Sequence, residues 1–505
     1  MEFEKITETQ ILIIGAGPVG LLLANFFGKY RHRCIIIDKQ ETPINIPRAI
    51  SIDDETLRII QAVGLLEEFF KISKSVKGLQ LCDQSGKLMF TLTKEPTSGF
   101  EASHLFYSPE LEKLLRDKLN EYKSVTFLEN TELLNINNTH NGAEASLLYQ
   151  KKENQNIRCR YIIGCDGANS KVRAITGIKM KNLNFSATNL KVDVELNEEA
   201  QYSNWIKKYC SSKQKAFVFL DSWHKHKRIE FSLKRDQSEN LEDYLEKTQQ
   251  ILNTRSFKIL HSAVYSFQSK IADKWKKGNV LIAGDAAHLM PPYIGQGMCA
   301  GFRDAQNLSW KIHYILKYNF SDSILNTYQS ERYPHTRFVI TLTKLTGLLF
   351  TSPLHHLLKI LSILLPSKLL VFNAPPIRLK KGVFVKGKSN AYLFPQFKIK
   401  DNNAAYINTD TFLGTEFCLL IYDTRLNEQD ENSLKEHGIK TLKIVANKNS
   451  INSNLILDSN KDFEKWFKKN NCHAVLIRPD RYVFNTYKNI EVRNIILDIR
   501  RTIKL

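Results

Sequence analysis

Residues 11–38 read ILIIGAGPVGLLLANFFGKYRHRCIIID. The apolar run 11–14 predicts a buried strand, the glycine-rich run 15–20 a turn, residues 21–30 a helix, and residues 34–37 a second strand that ends at Asp38. Each residue type suits a phosphate-binding turn. Gly15 allows the tight turn, Gly17 lets the backbone approach a pyrophosphate, and Gly20 lets the helix pack close on the strand, with Ala16, Pro18 and Val19 between them. The helix start then turns unpaired N–H groups and the positive end of its dipole toward the anion. Asp38, with Lys39 beside it, stands where a carboxylate accepts a hydrogen bond from an adenosine ribose hydroxyl, and its charge disfavours a 2′-phosphate. A Rossmann-type unit holding FAD or NAD is the expectation.

Two further segments carry the same kind of signal. Residues 160–173, RYIIGCDGANSKVR, run from an apolar strand into Asp166-Gly167 and then a basic helix. Residues 280–298, VLIAGDAAHLMPPYIGQGM, run from a strand into Gly284-Asp285, through Pro292, Gly295, Gln296, Gly297 and Met298, and into a helix reaching about Lys317. Asp285 suits a ribityl hydroxyl, and the helix after Gly297 aims its dipole at the flavin edge that carries negative charge on reduction. One FAD held by segments scattered over the first three quarters of the chain accounts for all three. Nearer the start, Arg48 precedes an S-x-x-D helix signal at residues 51–54, where a guanidinium suits a pyrophosphate or nicotinamide phosphate as well as plain exposure on a loop.

Length and composition bound the rest. At 505 residues with 43% hydrophobic and 25% charged side chains, the chain is globular material for two or three domains. The formal charge of +20 is spread along the chain without a nucleic-acid-binding motif, so a lysine-rich composition explains it and no nucleic-acid partner is expected. Eight dispersed cysteines show no metal-ligand spacing and read as reduced thiols, and the polar start MEFEKITETQ reads as neither signal nor span, so no metal and a cytoplasmic setting are expected. Residues 338–372 are rich in Leu and Ile but interrupted by Lys344, Lys359, Lys368, Pro353 and Pro366. Buried helices at a domain boundary are expected there, with peripheral membrane contact or a dimer face as alternatives, but no integral span.

The three motifs in this order resemble the single-component FAD-dependent aromatic hydroxylases. The wording PRAISIDDETLR at 47–58, PPYIGQGMCAGFRDAQNLSWK at 291–311 and YQSERYPH at 328–335 is most similar to the 3-(3-hydroxyphenyl)propionate hydroxylase branch, over roughly residues 8 to 350. The resemblance implies an α/β fold of the p-hydroxybenzoate hydroxylase kind. Residues 1–180 and 271–378 would form the FAD-binding domain, 181–270 a mixed β-sheet domain roofing the substrate, and 384–505 a thioredoxin-like α/β domain of structural or dimerising role behind a linker near Lys380. That last domain lacks the C-x-x-C of a disulfide enzyme. Gly15, Gly17, Gly20 and Asp38 would hold the ADP half of FAD; Asp285 and the 292–298 turn would hold the riboflavin half. Asp166 and Gly167 would serve FAD and the incoming NADH or NADPH, and Arg116 would reach the pyrophosphate. Ser108 stands where relatives usually carry Gln.

The activity so implied is a monooxygenase that consumes NAD(P)H and O₂ and hydroxylates a small aromatic substrate through a flavin C4a-hydroperoxide, as a monomer or homodimer. Asp53, His288 and Tyr293 lie beside the flavin motifs and are the candidates for the catalytic acceptor of the phenol proton. Each has a structural alternative: Asp53 as a first-turn helix charge, His288 as a histidine packed beneath the ring, Tyr293 as pocket wall. The chain has no W-x-W, which argues against a flavin halogenase, and its GDAAH-x-x-PP run argues against a geranylgeranyl-reductase-like enzyme. An epoxidase acting on a more lipidic substrate and a flavin-binding protein without turnover stay open.

Overall fold

The structure is a computed structural model. It describes residues 7–503 except 43–47, 84, 94–97, 199–203, 210–215, 222–224, 234–240, 352–359, 361–363, 365–370, 373–377, 401–405, 425 and 446–454. Strand Glu8–Ile14 lies at the centre of a parallel array, between Cys34–Ile37 and Glu153–Gly164, with Val125–Leu128 and Val280–Ile282 outside them. Strands covered on both faces must be apolar throughout, and the isoleucines at 11, 13, 35, 36 and 37 are essentially inaccessible to solvent. Helix Pro18–Lys29 packs on the array against Ser108–Leu119 and the long helix Gly297–Tyr318. All the strand ends that carry glycine or aspartate turns therefore face one side.

A nine-stranded sheet stands over that side. Its order is His288–Leu289, Phe257–Ala272, Met180–Leu196, His226–Leu233, Phe217–Asp221, Ile206–Tyr209, Leu79–Cys82, Leu88–Leu92, Val371–Phe372. The period-two alternation of strands assigns its two faces. Leu190, Val192, Val194, Ile229 and Phe231 point to an apolar cluster with Tyr244 of helix Leu241–Leu252. Ile206, Lys208, Val218, Leu220, Arg228 and Glu230 point the other way, into the molecule. The roof is thus wider than residues 181–270: the strands at 79–92 and 371–372 complete it, because parallel pairing of Leu79–Cys82 with Ile206–Tyr209 joins segments far apart in the chain.

Helix Asn326–Thr351 carries the start of the Leu-rich stretch. It is not buried all round, because Phe338, Leu345 and Leu348 are 50%, 54% and 46% exposed while Val339 and Ile340 are covered. Most of 352–370 lies outside the described residues. No helix among the described residues is long and apolar enough to cross a membrane.

The C-terminal unit is a five-stranded sheet in the order Leu455–Leu457, Ile439–Val445, Phe417–Tyr422, Ala474–Ile477, Val483–Tyr487. The first three strands are parallel and the last two antiparallel to their neighbours. Helices Glu428–Glu436, Asp462–Asn470 and Val492–Ile503 complete it. Its Phe417, Leu419, Ile421 and Phe484 belong to the same apolar cluster as Trp310 and Tyr314 of the long helix, so this unit shares a core with the nucleotide-binding body. The seven described cysteines are unpaired.

Candidate cofactor and substrate site

The three glycines of the first turn have three different surroundings. Gly15 has φ +102°, and a Cβ there would sit 2.6 Å from the Cys165 carbonyl oxygen. At Gly20 a Cβ would meet the Gly15 carbonyl oxygen at 1.9 Å. Gly17 faces nothing within 4 Å, and it opens helix Pro18–Lys29 without a side-chain cap. Backbone N–H groups at a helix start, with empty space in front of them, form a cradle for a phosphate. Gly167, with φ +78° and nothing within 4 Å of a Cβ, opens on the same space.

That space is a cavity of about 1050 Å³ running from Gly17, Pro18 and Val19, past Arg48 and Asp285, along the 292–298 turn to the inner face of the roof sheet. Its volume lies at the upper end of small-molecule pockets, roughly 300–1,000 Å³, as a large cofactor requires. The residues present fit FAD. Glycine backbone would face its phosphates, an aspartate its middle, and a helix start its ring.

Beyond the glycine turn, Asp38 does not itself line the cavity; it accepts hydrogen bonds from Ala16 N at 2.8 Å and Gln40 N at 2.9 Å, tying the second strand to the glycine turn. Lys39 is exposed beside it. The Ser108 hydroxyl accepts from Arg48 N at 2.9 Å, and the Arg48 carbonyl accepts from Arg228 Nη1 at 3.2 Å, leaving the exposed Arg48 guanidinium on the cavity. Glu112 is buried on the cavity wall; burial pushes its carboxyl up to about 7 against the pull of Arg48 and Arg116. Arg116 does not line the cavity. It lies over the Phe127 ring and pairs with Glu129 at 2.5 Å. Asp166 accepts from Val172 N at 3.0 Å, and its Oδ1 is buried with no partner.

At the ring end, Gly284 has φ +62° and donates its N–H to Asp304 at 3.2 Å. Asp285 opens to the cavity with protein on its other sides, and this burial raises its carboxyl, with His288 and Arg48 opposing. His288 points away: fully buried behind the wall, it meets Asp304 at 2.7 Å, and Asp304 accepts from Arg332 at 2.8 Å. Tyr293 lines the cavity, packed on Gly347 and edged by Phe185 and Phe267, while Lys208 lies over its ring and donates to its carbonyl. Burial and then Glu230 push its phenol up to about 12.

Asp53 sits between the two parts. It caps helix Asp54–Ala62 through Thr56 N at 2.9 Å, so Asp53 and not Ser51 is the cap; Ser51 lies on a short strand with its hydroxyl against Gly295. Its other oxygen accepts from Gln296 at 3.1 Å and Arg303 at 2.5 Å, and Arg303 also pairs with Glu55 at 2.7 Å. Burial works against the Arg303 charge, but the Asp53 and Glu55 carboxylates more than offset it and keep the guanidinium a cation.

Residues that sequence reasoning missed lie mostly on the roof. Arg228 is held by Asp193 at 2.7 Å, with His226 3.0 Å and Lys191 3.6 Å from the same carboxylate, all buried. Polar residues at alternating positions, 191 and 193 and again 226, 228 and 230, were the available signal. Glu55 and Arg303 had only their place in the quoted motifs, and Tyr482, on the cavity wall, had none.

Fold and cavity together define a Rossmann-type α/β protein with a site suited to FAD. A family model described as "FAD binding domain" matches residues 8–343, and one described as "HcaD C-terminal domain" matches residues 391–502. The chain belongs to the FAD-dependent aromatic hydroxylase family. It is 26% identical over 94% of its length to a probable NADH-specific resorcinol 4-hydroxylase of Rhodococcus jostii, covering 91% of that protein. It is 28% identical over 83% of its length to a 3-(3-hydroxyphenyl)propionate/3-hydroxycinnamic acid hydroxylase of a Mycobacterium species, covering 76% of it. Among solved structures, aklavinone-11 hydroxylase with FAD and aklavinone superposes with TM-score 0.79 at 16% identity, over 98% of this chain and 99% of that one. The flavin-dependent monooxygenase PieE superposes with TM-score 0.83 at 17% identity, over 99% and 100% of the two chains.

Proposed function

We propose that the chain hydroxylates a phenol carrying a second substituent meta to its hydroxyl, using O₂ and NADH. The observation that carries this reading is the continuity of one cavity from the glycine turn to the inner face of the roof sheet. The relatives named for resorcinol and for 3-(3-hydroxyphenyl)propionate share such a phenol, and NADH is in the name of the Rhodococcus protein. When bound, FAD supplies hydride acceptance from the nicotinamide and activation of oxygen.

The chain's own residues supply position and dryness. Gly15, Gly17, Gly20 and Asp38 hold the ADP half, with Arg48 on the phosphates; Asp285 and the 292–298 turn hold the riboflavin half, and Asp166 and Gly167 border both. Leu79, Leu81, Phe90, Ile206, Val218 and Leu220 cover the aromatic ring and exclude water, which suppresses loss of activated oxygen as peroxide. Tyr293, with its phenol pushed up to about 12, stays protonated and serves as wall and hydrogen-bond donor. Asp53, engaged by Thr56, Gln296 and Arg303, orients the turn. His288 supports the motif from behind through Asp304. The C-terminal unit reads as thioredoxin-like from its β-α-β and β-β-α halves, without a redox cysteine pair.

The test is anaerobic mixing of FAD-loaded protein with NADH, with and without a panel of meta-substituted phenols, followed by product analysis in air. The expected outcome is phenol-stimulated bleaching of the visible flavin band and one more hydroxyl on the ring. Indifference to every phenol overturns the reading and leaves a flavin binder. A second reading, an epoxidase acting on a lipidic alkene, draws on Phe338 and Leu345, which line the cavity from an exposed apolar helix face. Apolar alkenes added to the same panel separate the two.

A further inference from the structure

Helix Asp54–Ala62 has two clients. Its first turn borders the 292–298 turn through Asp53 and Glu55, and its next turn grips the C-terminal domain. Arg58, three residues after Glu55 and so on the same face, binds Asp410 with two bonds of 2.8 Å and the Phe394 carbonyl at 2.7 Å. Phe394 N donates to the Arg481 carbonyl at 2.8 Å, and Leu393 forms a bridge with Tyr482. Leu393, Phe394, Pro395 and Tyr482 thereby become one wall of the cavity.

The contact is built, not incidental. Arg478 pairs with Glu331 at 2.8 Å and Asp480 at 2.6 Å, and Asp480 accepts from Trp310 at 3.0 Å and Asn307 at 3.1 Å, all essentially without solvent. Removing one partner of such a buried set is strongly destabilising, so loop 478–482 has one seat. In that seat the Tyr482 hydroxyl donates to Glu55 at 3.5 Å. Glu55 binds Arg303, Arg303 binds Asp53, and Asp53 binds Gln296 at the start of the long helix. Burial, and then the Glu55 charge, raise the Tyr482 phenol, which keeps it a donor.

We infer that the C-terminal domain is a working part of the active site: it closes one side of the cavity, and Tyr482 is a positioning residue that steadies the 292–298 turn through Glu55, Arg303, Asp53 and Gln296. This rests on the proposed placement of the flavin ring against that turn. A domain that only stabilised or dimerised the protein would leave the bound cofactor's properties alone.

The experiment compares Tyr482→Phe, Glu55→Gln, their double variant, Gln296→Ala and, as a control, Tyr487→Phe. Tyr487 gives a hydroxyl to Asp498 at 3.2 Å within the same domain and does not line the cavity. Readouts are FAD affinity by fluorescence titration, the visible spectrum of bound FAD, and product formed per NADH. Tyr482→Phe is expected to weaken FAD binding about 5-fold, as loss of one long hydrogen bond of ordinary strength does, to shift the flavin band, and to lower product per NADH. Glu55→Gln acts in the same direction and more strongly, about 10- to 30-fold, and the double variant matches Glu55→Gln within about twofold because both act through one chain of contacts. Tyr487→Phe changes none of the three. If Gln296→Ala alters the flavin spectrum while Tyr482→Phe and Glu55→Gln do not, the relay is overturned and the turn's placement stands. If Gln296→Ala also leaves the spectrum unchanged, the placement of the ring fails as well. Additive effects of Tyr482→Phe and Glu55→Gln, or a Tyr487→Phe that behaves like Tyr482→Phe, reduce the domain to general stabilisation and overturn the proposal.

Discussion

The two ends of the cavity are built by different means. At the nucleotide end, Gly17 and Gly167 leave bare backbone facing open space, and the surrounding strands are apolar runs within a few residues of each turn. At the far end, Arg228, Arg303, Asp53 and Glu55 stand among the apolar residues of the wall, and they are held by other buried charges, Arg228 by Asp193 with Lys191 and His226 around it, contributed by strands and helices remote in sequence. Backbone geometry recognises a phosphate common to all nucleotides. Side-chain charges held by one another give a wall whose shape and polarity can differ from one substrate to the next.

The largest expected effect breaks the charged end. Arg228→Met leaves Asp193 buried with Lys191 and His226 alone, and should destabilise the protein by about 3–5 kcal/mol in denaturant melts; adding Asp193→Asn should restore part of that loss. The backbone end answers with a split between neighbours. Gly20→Ala places a Cβ into the Gly15 carbonyl and should cost about 3 kcal/mol of stability with or without FAD. Gly17→Ala meets open space, so the FAD-free protein should melt within about 0.5 kcal/mol of the parent. Its FAD affinity should nonetheless fall roughly 100-fold, about 2.8 kcal/mol, because the methyl enters the phosphate cradle. Equal effects of the two substitutions on the FAD-free protein would dissolve the distinction drawn between them.

An effect no larger than these tests the border. Glu112 holds its proton up to about pH 7 in the folded protein against an ordinary 4.5, so folding takes up a proton between those values. Stability is therefore fullest below pH 4.5 and declines as pH rises toward 7. Glu112→Gln should raise the stability of the FAD-free protein by up to roughly 3 kcal/mol at pH 8 and change nothing at pH 4, read from melts at the two pH values. The smallest effect concerns Ser108. Ser108→Ala removes the acceptor of the Arg48 N–H and should cost about 1 kcal/mol while weakening FAD binding only through the Arg48 loop.

The parts legible in the sequence were those whose cause is local. The strand, turn and helix of residues 11–38 and the long helix from Gly297 each carry their own periodicity or turn chemistry. Ser108 shows the limit: its departure from the usual Gln was visible, but its hydrogen bond to the Arg48 backbone, 60 residues away, was not. His288 and Tyr293 stand five residues apart in one motif, yet one lies behind the cavity wall and the other on it. Adjacency in a motif does not say which way a side chain points once the chain has turned.

By itself the sequence determined that glycine-lined turns at the ends of apolar strands would present backbone to a nucleotide, because backbone conformation and strand burial are set over a handful of residues. Only the tertiary structure decided that the C-terminal domain walls the cavity, that Asp53 is locked between Thr56, Gln296 and Arg303, and that the roof borrows strands from both sides of its segment. Thr56 apart, those contacts join residues more than a hundred positions apart, and their partners are chosen by the packing of whole elements rather than by any pattern within one of them.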